Sequence, residues 1–202
     1  MYYFSEQGVT KQYNDAKQYV IDYAKYLRSQ FGEISFRTLK QIVNFVKDNF
    51  KISLDIETDG EDRLAEFLSG RQGSVHDFAD LLLLILYDDP GIRVYKFNMA
   101  IATNMHGSLA KGSTVNPIKH VGICFKIECE NLLRERYIDL SKSLDSLFDI
   151  EIFTNEDLRK YYNFDYHFAM FSSIENIKAK NISEYYDGII NRSSIPMPRN
   201  KI

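Results

Sequence analysis

The sequence predicts an α+β fold: a helical N-terminal half with one buried central helix, packed on a small antiparallel sheet. Three observations carry this. Apolar residues recur at helical spacing through residues 14–50. Leu81–Leu86 is apolar without a break, which on a helix means burial on every side. Beyond Pro90-Gly91, apolar and polar residues alternate in short runs, as they do on strands. The chain has 202 residues, 45% of them hydrophobic, enough for one well-packed core. A single domain is therefore expected over residues 1–190, with an irregular tail at 191–202.

The elements follow in order. Residues 14–30 predict an amphipathic helix, with Ala16, Tyr19, Val20, Tyr23, Ala24 and Leu27 on one face and Gly32 as a stop. Residues 36–50 predict a second, with Leu39, Ile42, Val43, Val46 and Phe50 on its face. The acidic stretch Asp55–Asp62 reads as a loop, Arg63–Leu68 as a short helix, and Ser69–Gly73 as a turn. Val75–Tyr87 predicts the buried helix. A buried strand competes for so short an apolar run, but the Ser/Asp start and the total length favour helix. Strands are expected over 91–99, 120–129 and 136–140, with a long polar loop over 100–118. From 141 onward the pattern weakens. Leu144, Leu147 and Phe148 suggest a short helix, and Thr154 with Asp157 a capping box opening another. Residues 164–177 are aromatic and ambiguous, and 191–202, with two prolines, reads as extended.

Composition excludes several functions. Net charge is −3 without clustered Lys or Arg, which argues against nucleic-acid binding. No apolar run approaches the length of a membrane span. Met1–Glu6 lacks a basic region followed by an apolar one, so no secretory signal is expected. Two cysteines, Cys124 and Cys129, are too few for a disulfide framework. On one strand they would lie on opposite faces, roughly 16 Å apart, beyond bridging. A cytoplasmic setting fits. With four scattered histidines and no Cys-x-x-Cys, zinc is not expected, and no cofactor is implied.

One constellation carries chemistry. Gly73-Ser74-Val75-His76-Asp77-Phe78-Ala79 opens the buried helix; His120 opens a strand downstream; Asp139 follows on the next. This resembles the transglutaminase-like family of the papain-type superfamily, where a Gly-x-Cys-x-Asp-Phe/Tyr-Ala run is followed by a His and then an Asp. The resemblance covers a core at 36–140, with an N-terminal helical extension at 1–35 and a C-terminal addition at 141–190. It departs at the centre. Val75 stands at the nucleophile position and cannot attack a carbonyl, and Ile123 or a neighbour replaces the aromatic that the family often sets just after the His. A thiolate nucleophile depends on a helix N-terminus and a neighbouring histidine, and here the thiol itself is missing.

Ser74 is the rescue candidate, but Ser74-x-x-Asp77 is also a capping signature. One residue of displacement turns a helical side chain by about 100°. His76 is expected at the exposed first turn. Cys124 shares strand parity with His120 and suits a small buried hydrophobe.

Two weaker motifs are present. Asp55-Ile56-Glu57-Thr58-Asp59-Gly60 with Glu66 has calcium-loop spacing, but Glu57, Asp62 and Arg63 are wrong for it, so a solvated acidic loop is favoured. Gly107–Thr114 lacks the lysine of a phosphate-binding loop.

What the resemblance implies, with Val75 in place, is a catalytically inactive domain. It would serve as a structural or binding component of a larger assembly, a virion being one setting. Protein partners are expected at 100–118 and 191–202, which are polar and lack hydrophobic periodicity. The alternative is an amide hydrolase or acyl-transferase using Ser74 with His120 and Asp139.

Overall fold

The protein is described by a computed structural model over residues 1–6, 8–53, 60–87, 92–101, 118–129, 132–145, 154, 156–157, 168–174 and 179–193. It is an α+β structure. The chain opens with a hairpin, β1 (Tyr2–Glu6) and β2 (Val9–Tyr13), turned at Gly8 with φ +82°. Tyr2 and Phe4 alternate inward: Tyr2 stacks on Tyr19 at 5.1 Å, and Phe4 meets Tyr23 edge-on at 5.0 Å. No strand is expected there from sequence. A two-stranded hairpin is marginal alone, and this one is held by the aromatic face of the helix that follows.

Helix α1 (Ala16–Ser29) starts at Asp15, whose carboxylate accepts from Lys17 N and Gln18 N. Helix α2 (Phe36–Asn49) starts at Ser35, whose hydroxyl accepts from Thr38 N. Each satisfies orphan N–H groups of the first turn. Both bury the faces that the periodicity predicts: Tyr19, Val20, Tyr23, Ala24 and Leu27 on α1, and Leu39, Ile42, Val43 and Val46 on α2.

After α2 comes β3 (Lys51–Ser53), and after α3 (Arg63–Gly70) comes β4 (Gln72–Ser74). These two short strands pair in parallel, Ile52 opposite Gly73. The sequence predicts only a turn over Ser69–Gly73. The tight reversal is carried by Arg71 at φ +51°, and the chain then runs directly into a strand. A pair of three-residue strands offers too little periodicity to detect.

Helix α4 (Val75–Ile85) follows immediately. All of its side chains except His76 are buried. It packs against a four-stranded antiparallel sheet of β5 (Ile92–Ile101), β6 (Ile118–Cys129), β7 (Leu132–Asp139) and β8 (Phe168–Ile174), in the order β7-β6-β5-β8. Strand β7 begins at Leu132, four residues before the expected start at 136. Charged Arg134, Glu135 and Arg136 hide it in sequence, as charges on edge strands do. The ambiguous stretch 164–177 contains β8. Helix α5 (Leu140–Asp145) continues from β7, earlier than the helix expected around 144–148. Helix α6 (Ile182–Ser193) closes the description, and the segment expected to be irregular from 191 is helical through Ser193.

One continuous core joins these parts, from Phe4 through α1, α2, α3 and α4 to Phe125, Ile138 and Ile189. Among the described residues no helix is long and apolar enough to cross a membrane.

Candidate functional site

The candidate site lies at the head of α4, at Ser74 and Val75. Ser74 is the N-cap and is 2% exposed. Its Oγ accepts from Asp77 N at 3.1 Å and donates to Asp77 Oδ2 at 2.6 Å, while Ser74 N donates to the same oxygen at 2.9 Å. This is a complete capping box. The hydroxyl proton goes to a carboxylate that is itself committed, so it is not offered to an imidazole. Val75 is the first helical residue and is 4% exposed, part of the apolar core.

Gly73 has a structural reason to be glycine. A Cβ there would lie 2.5 Å from Phe67 Cδ2 and 3.0 Å from Asp77 Oδ2. The chain approaches α3 too closely for any side chain.

The histidine and aspartate positions lie on adjacent strands, as expected, but not opposite one another. Asp139 pairs with Gly122, and His120, two positions along, pairs with Met99 of β5. Ser141 of α5 continues that end of the ladder, its Oγ accepting from Val121 N at 2.8 Å. The His120 side chain lies outside the described residues. Sheet parity places Asp139. Lys96 pairs with Ile123, and Lys96 Nζ reaches Asp80 of α4 at 2.7 Å, so the face of Ile123 is the face that α4 covers. Val121 and Phe125 share it within the core. Position 122, and Asp139 opposite it, alternate onto the other face. The register therefore sets Asp139 away from α4, where the resemblance leads one to expect it facing residue 75. Asp139 is nevertheless 1% exposed.

On that second face, Cys124 pairs with Tyr137 and donates its thiol to Glu135 Oε1 at 3.2 Å. Burial pushes the Cys124 thiol up to about 12, and Glu135 adds to the effect. A protonated, buried thiol is a packing group, as the sequence suggests, and not a nucleophile.

Beneath the head of α4 lies a buried charge cluster that the sequence reading did not single out. Arg63 of α3 pairs with both Asp77 and Asp80, and Lys96 of β5 pairs with Asp80. All four side chains are 5% exposed or less. Burial alone would raise the Asp80 carboxyl; Lys96 and Arg63 overcome it and hold Asp80 below the usual carboxylate range. The signal was available: a carboxylate inside a helix otherwise buried all round must find cations. His76, the exposed residue of the helix, stands at its first turn as expected.

Residues 54–59 lie outside the described residues, but Arg63 is turned into the core and Glu66 lies on exposed α3 surface. Among the described residues no group of three His, Cys, Asp or Glu side chains could hold a metal ion. The loop at 107–114 lies outside the described residues, as do 102–117 of the expected contact loop and 194–202 of the tail. The Thr154–Asp157 box does form, Thr154 Oγ1 donating to Asp157 Oδ2 at 2.6 Å.

A solvent-open cleft of about 650 Å³ lies elsewhere, between the start of the hairpin, the head of α1 and α6. Asp15, Lys17, Glu61, Asp62, Tyr186 and Asp187 line it; Ser74, Val75 and Asp139 do not. Lys17 Nζ bridges both Asp187 oxygens at 2.7 Å across it.

Comparison with known proteins finds no matching family model, no similar curated protein and no similar solved structure.

Proposed function

We propose that this chain is a non-catalytic domain that serves as a structural or protein-binding component of a larger assembly. One observation carries the reading: the head of the buried helix has no group free to attack. Val75 has no reactive atom, and the Ser74 hydroxyl is buried and engaged twice with Asp77. The chemistry of an amide hydrolase or acyl-transferase needs a nucleophile, a base beside it and access for substrate. Here the nominal orienting acid, Asp139, belongs by parity to the sheet face away from α4.

The family reading is a degenerate transglutaminase-like domain in a papain-type lineage. Its support is the order of parts: a buried helix opened by Gly73-Ser74-Val75-His76-Asp77-Phe78-Ala79, then antiparallel strands carrying His120 and Asp139. The parity of those strands counts against a functional triad. A virion made in the cytoplasm is one assembly that would suit such a component.

The test is the state of the protein in its native source. Size fractionation with cross-linking mass spectrometry should find the chain in a large particle, cross-linked to other proteins. A free monomer that turns over amide or ester substrates, with turnover abolished by Ser74→Ala while the fold survives, would overturn the reading.

A further inference from the structure

Helix α4 poses a problem of specificity that its burial cannot solve. From Phe78 to Ile85 every side chain is buried, and the run Leu81–Ile85 is apolar around the whole circumference. Most rotations of such a helix about its axis bury similar apolar area, so hydrophobic burial selects no single one. The capping box fixes where the helix starts, not how it is turned. The polar residues of α4 are His76, Asp77 and Asp80. His76 is exposed, which a range of rotations allows. Asp77 and Asp80, three residues apart, lie on one face.

We infer that the Arg63–Asp77–Asp80–Lys96 quartet is the register key of α4: it selects one rotation and one axial position of the helix against α3 and β5, and contributes little net stability. The geometry is that of a key. Arg63, the first residue of α3, spans both carboxylates; Lys96 meets the second from the sheet side at 2.7 Å. Turning α4 by one residue, about 100°, would leave two cations and two carboxylates buried and apart, each at a heavy desolvation penalty. The charges balance, two against two, so the keyed state buries no net charge. Lys96 also stands at the irregularity in the β5–β8 ladder, where the register shifts between Lys96 and Phe97. Tying Lys96 to Asp80 therefore aligns the helix with the point at which the sheet itself changes register. Replacing a buried ionic cluster by apolar groups of similar volume is often neutral or stabilising, whereas removing one member is not. The two roles, orienting and stabilising, thus predict different mutant behaviour.

The experiment compares three variants with the parent by thermal unfolding and by two-dimensional amide NMR. Lys96→Met leaves Asp80 with one cation fewer and should lower Tm by roughly 10 °C. Asp80→Leu with Lys96→Met keeps the Arg63–Asp77 pair and should melt well above Lys96→Met alone. Its α4 and β5 amides should broaden or split as several packings interconvert. Adding Arg63→Met and Asp77→Asn should extend that broadening along the whole helix. A double or quadruple variant with one sharp peak set superimposable on the parent's would overturn the inference. So would a double variant that melts no higher than Lys96→Met, or fails to fold, because the quartet would then be stabilising the fold rather than orienting it.

Discussion

Ser74 and Asp77 form a reciprocal pair at the start of α4: the serine Oγ accepts from the Asp77 amide at 3.1 Å and donates to its carboxylate at 2.6 Å. The serine hydroxyl thereby donates and accepts at the start of the helix. The first prediction follows directly. Ser74→Ala should destabilise the protein by about 1–2 kcal/mol, measured as a lower urea midpoint with an unchanged m-value, and should alter no chemistry.

Gly73 and Phe67 define a second. With 2.5 Å between Phe67 Cδ2 and an added Cβ, Gly73→Ala forces the ring or the β3–β4 pair to move. The expected loss is about 1–3 kcal/mol. Combining it with Phe67→Leu should give less than the sum of the two single losses, because the smaller side chain vacates the clash. A strictly additive double mutant would show that the glycine is present for another reason.

Asp80 is one group through which the fold loses stability in acid. Lys96 and Arg63 hold its carboxyl lower in the folded chain than in the unfolded one, against the opposing effect of burial. A depressed carboxylate contributes stability that is fully present above its unfolded pKa and lost as pH falls through the folded one. The contribution should therefore be constant above about pH 4 and decline below it. Unfolding free energies measured from pH 7 down to pH 2 should fall less steeply over the acid range for Asp80→Asn than for the parent, although the variant is less stable at neutral pH.

Cys124 should be inert in the native state. Its thiol is 5% exposed and pushed up to about 12. Iodoacetamide at pH 8 should leave the Cys124 peptide unmodified in the folded protein and alkylate it fully in 8 M urea, the concentrations being about those of a routine mapping experiment.

Much of the fold was legible in the sequence because burial imposes periods. The faces of α1 and α2, and the all-apolar run of α4, are written in residue spacing. The cap at Ser74 was legible too, since it rests on four consecutive residues. What escaped depends on contacts distant in sequence. The β1–β2 hairpin is held by Tyr19 and Tyr23, not by its own pattern. Strand β4 exists because β3, some twenty residues earlier, lies beside it. The Arg63 and Lys96 partners of Asp80 come from two other elements, so only the demand for a cation was visible, not its source. The order His120 then Asp139 suggested a pair; the ladder sets Asp139 opposite Gly122, and that one register decides the face.

The head of α4 is built for capping and packing, and the proposed lack of covalent chemistry there is open to direct test. The most direct measurement is labelling of the folded protein with a serine-reactive fluorophosphonate, followed by peptide mapping. The account predicts no adduct on Ser74 under native conditions, in the parent and in His120→Ala alike. A stoichiometric adduct on Ser74 in the parent, lost in His120→Ala while the fold persists, would contradict it, because the serine would then be an activated nucleophile and not a helix cap.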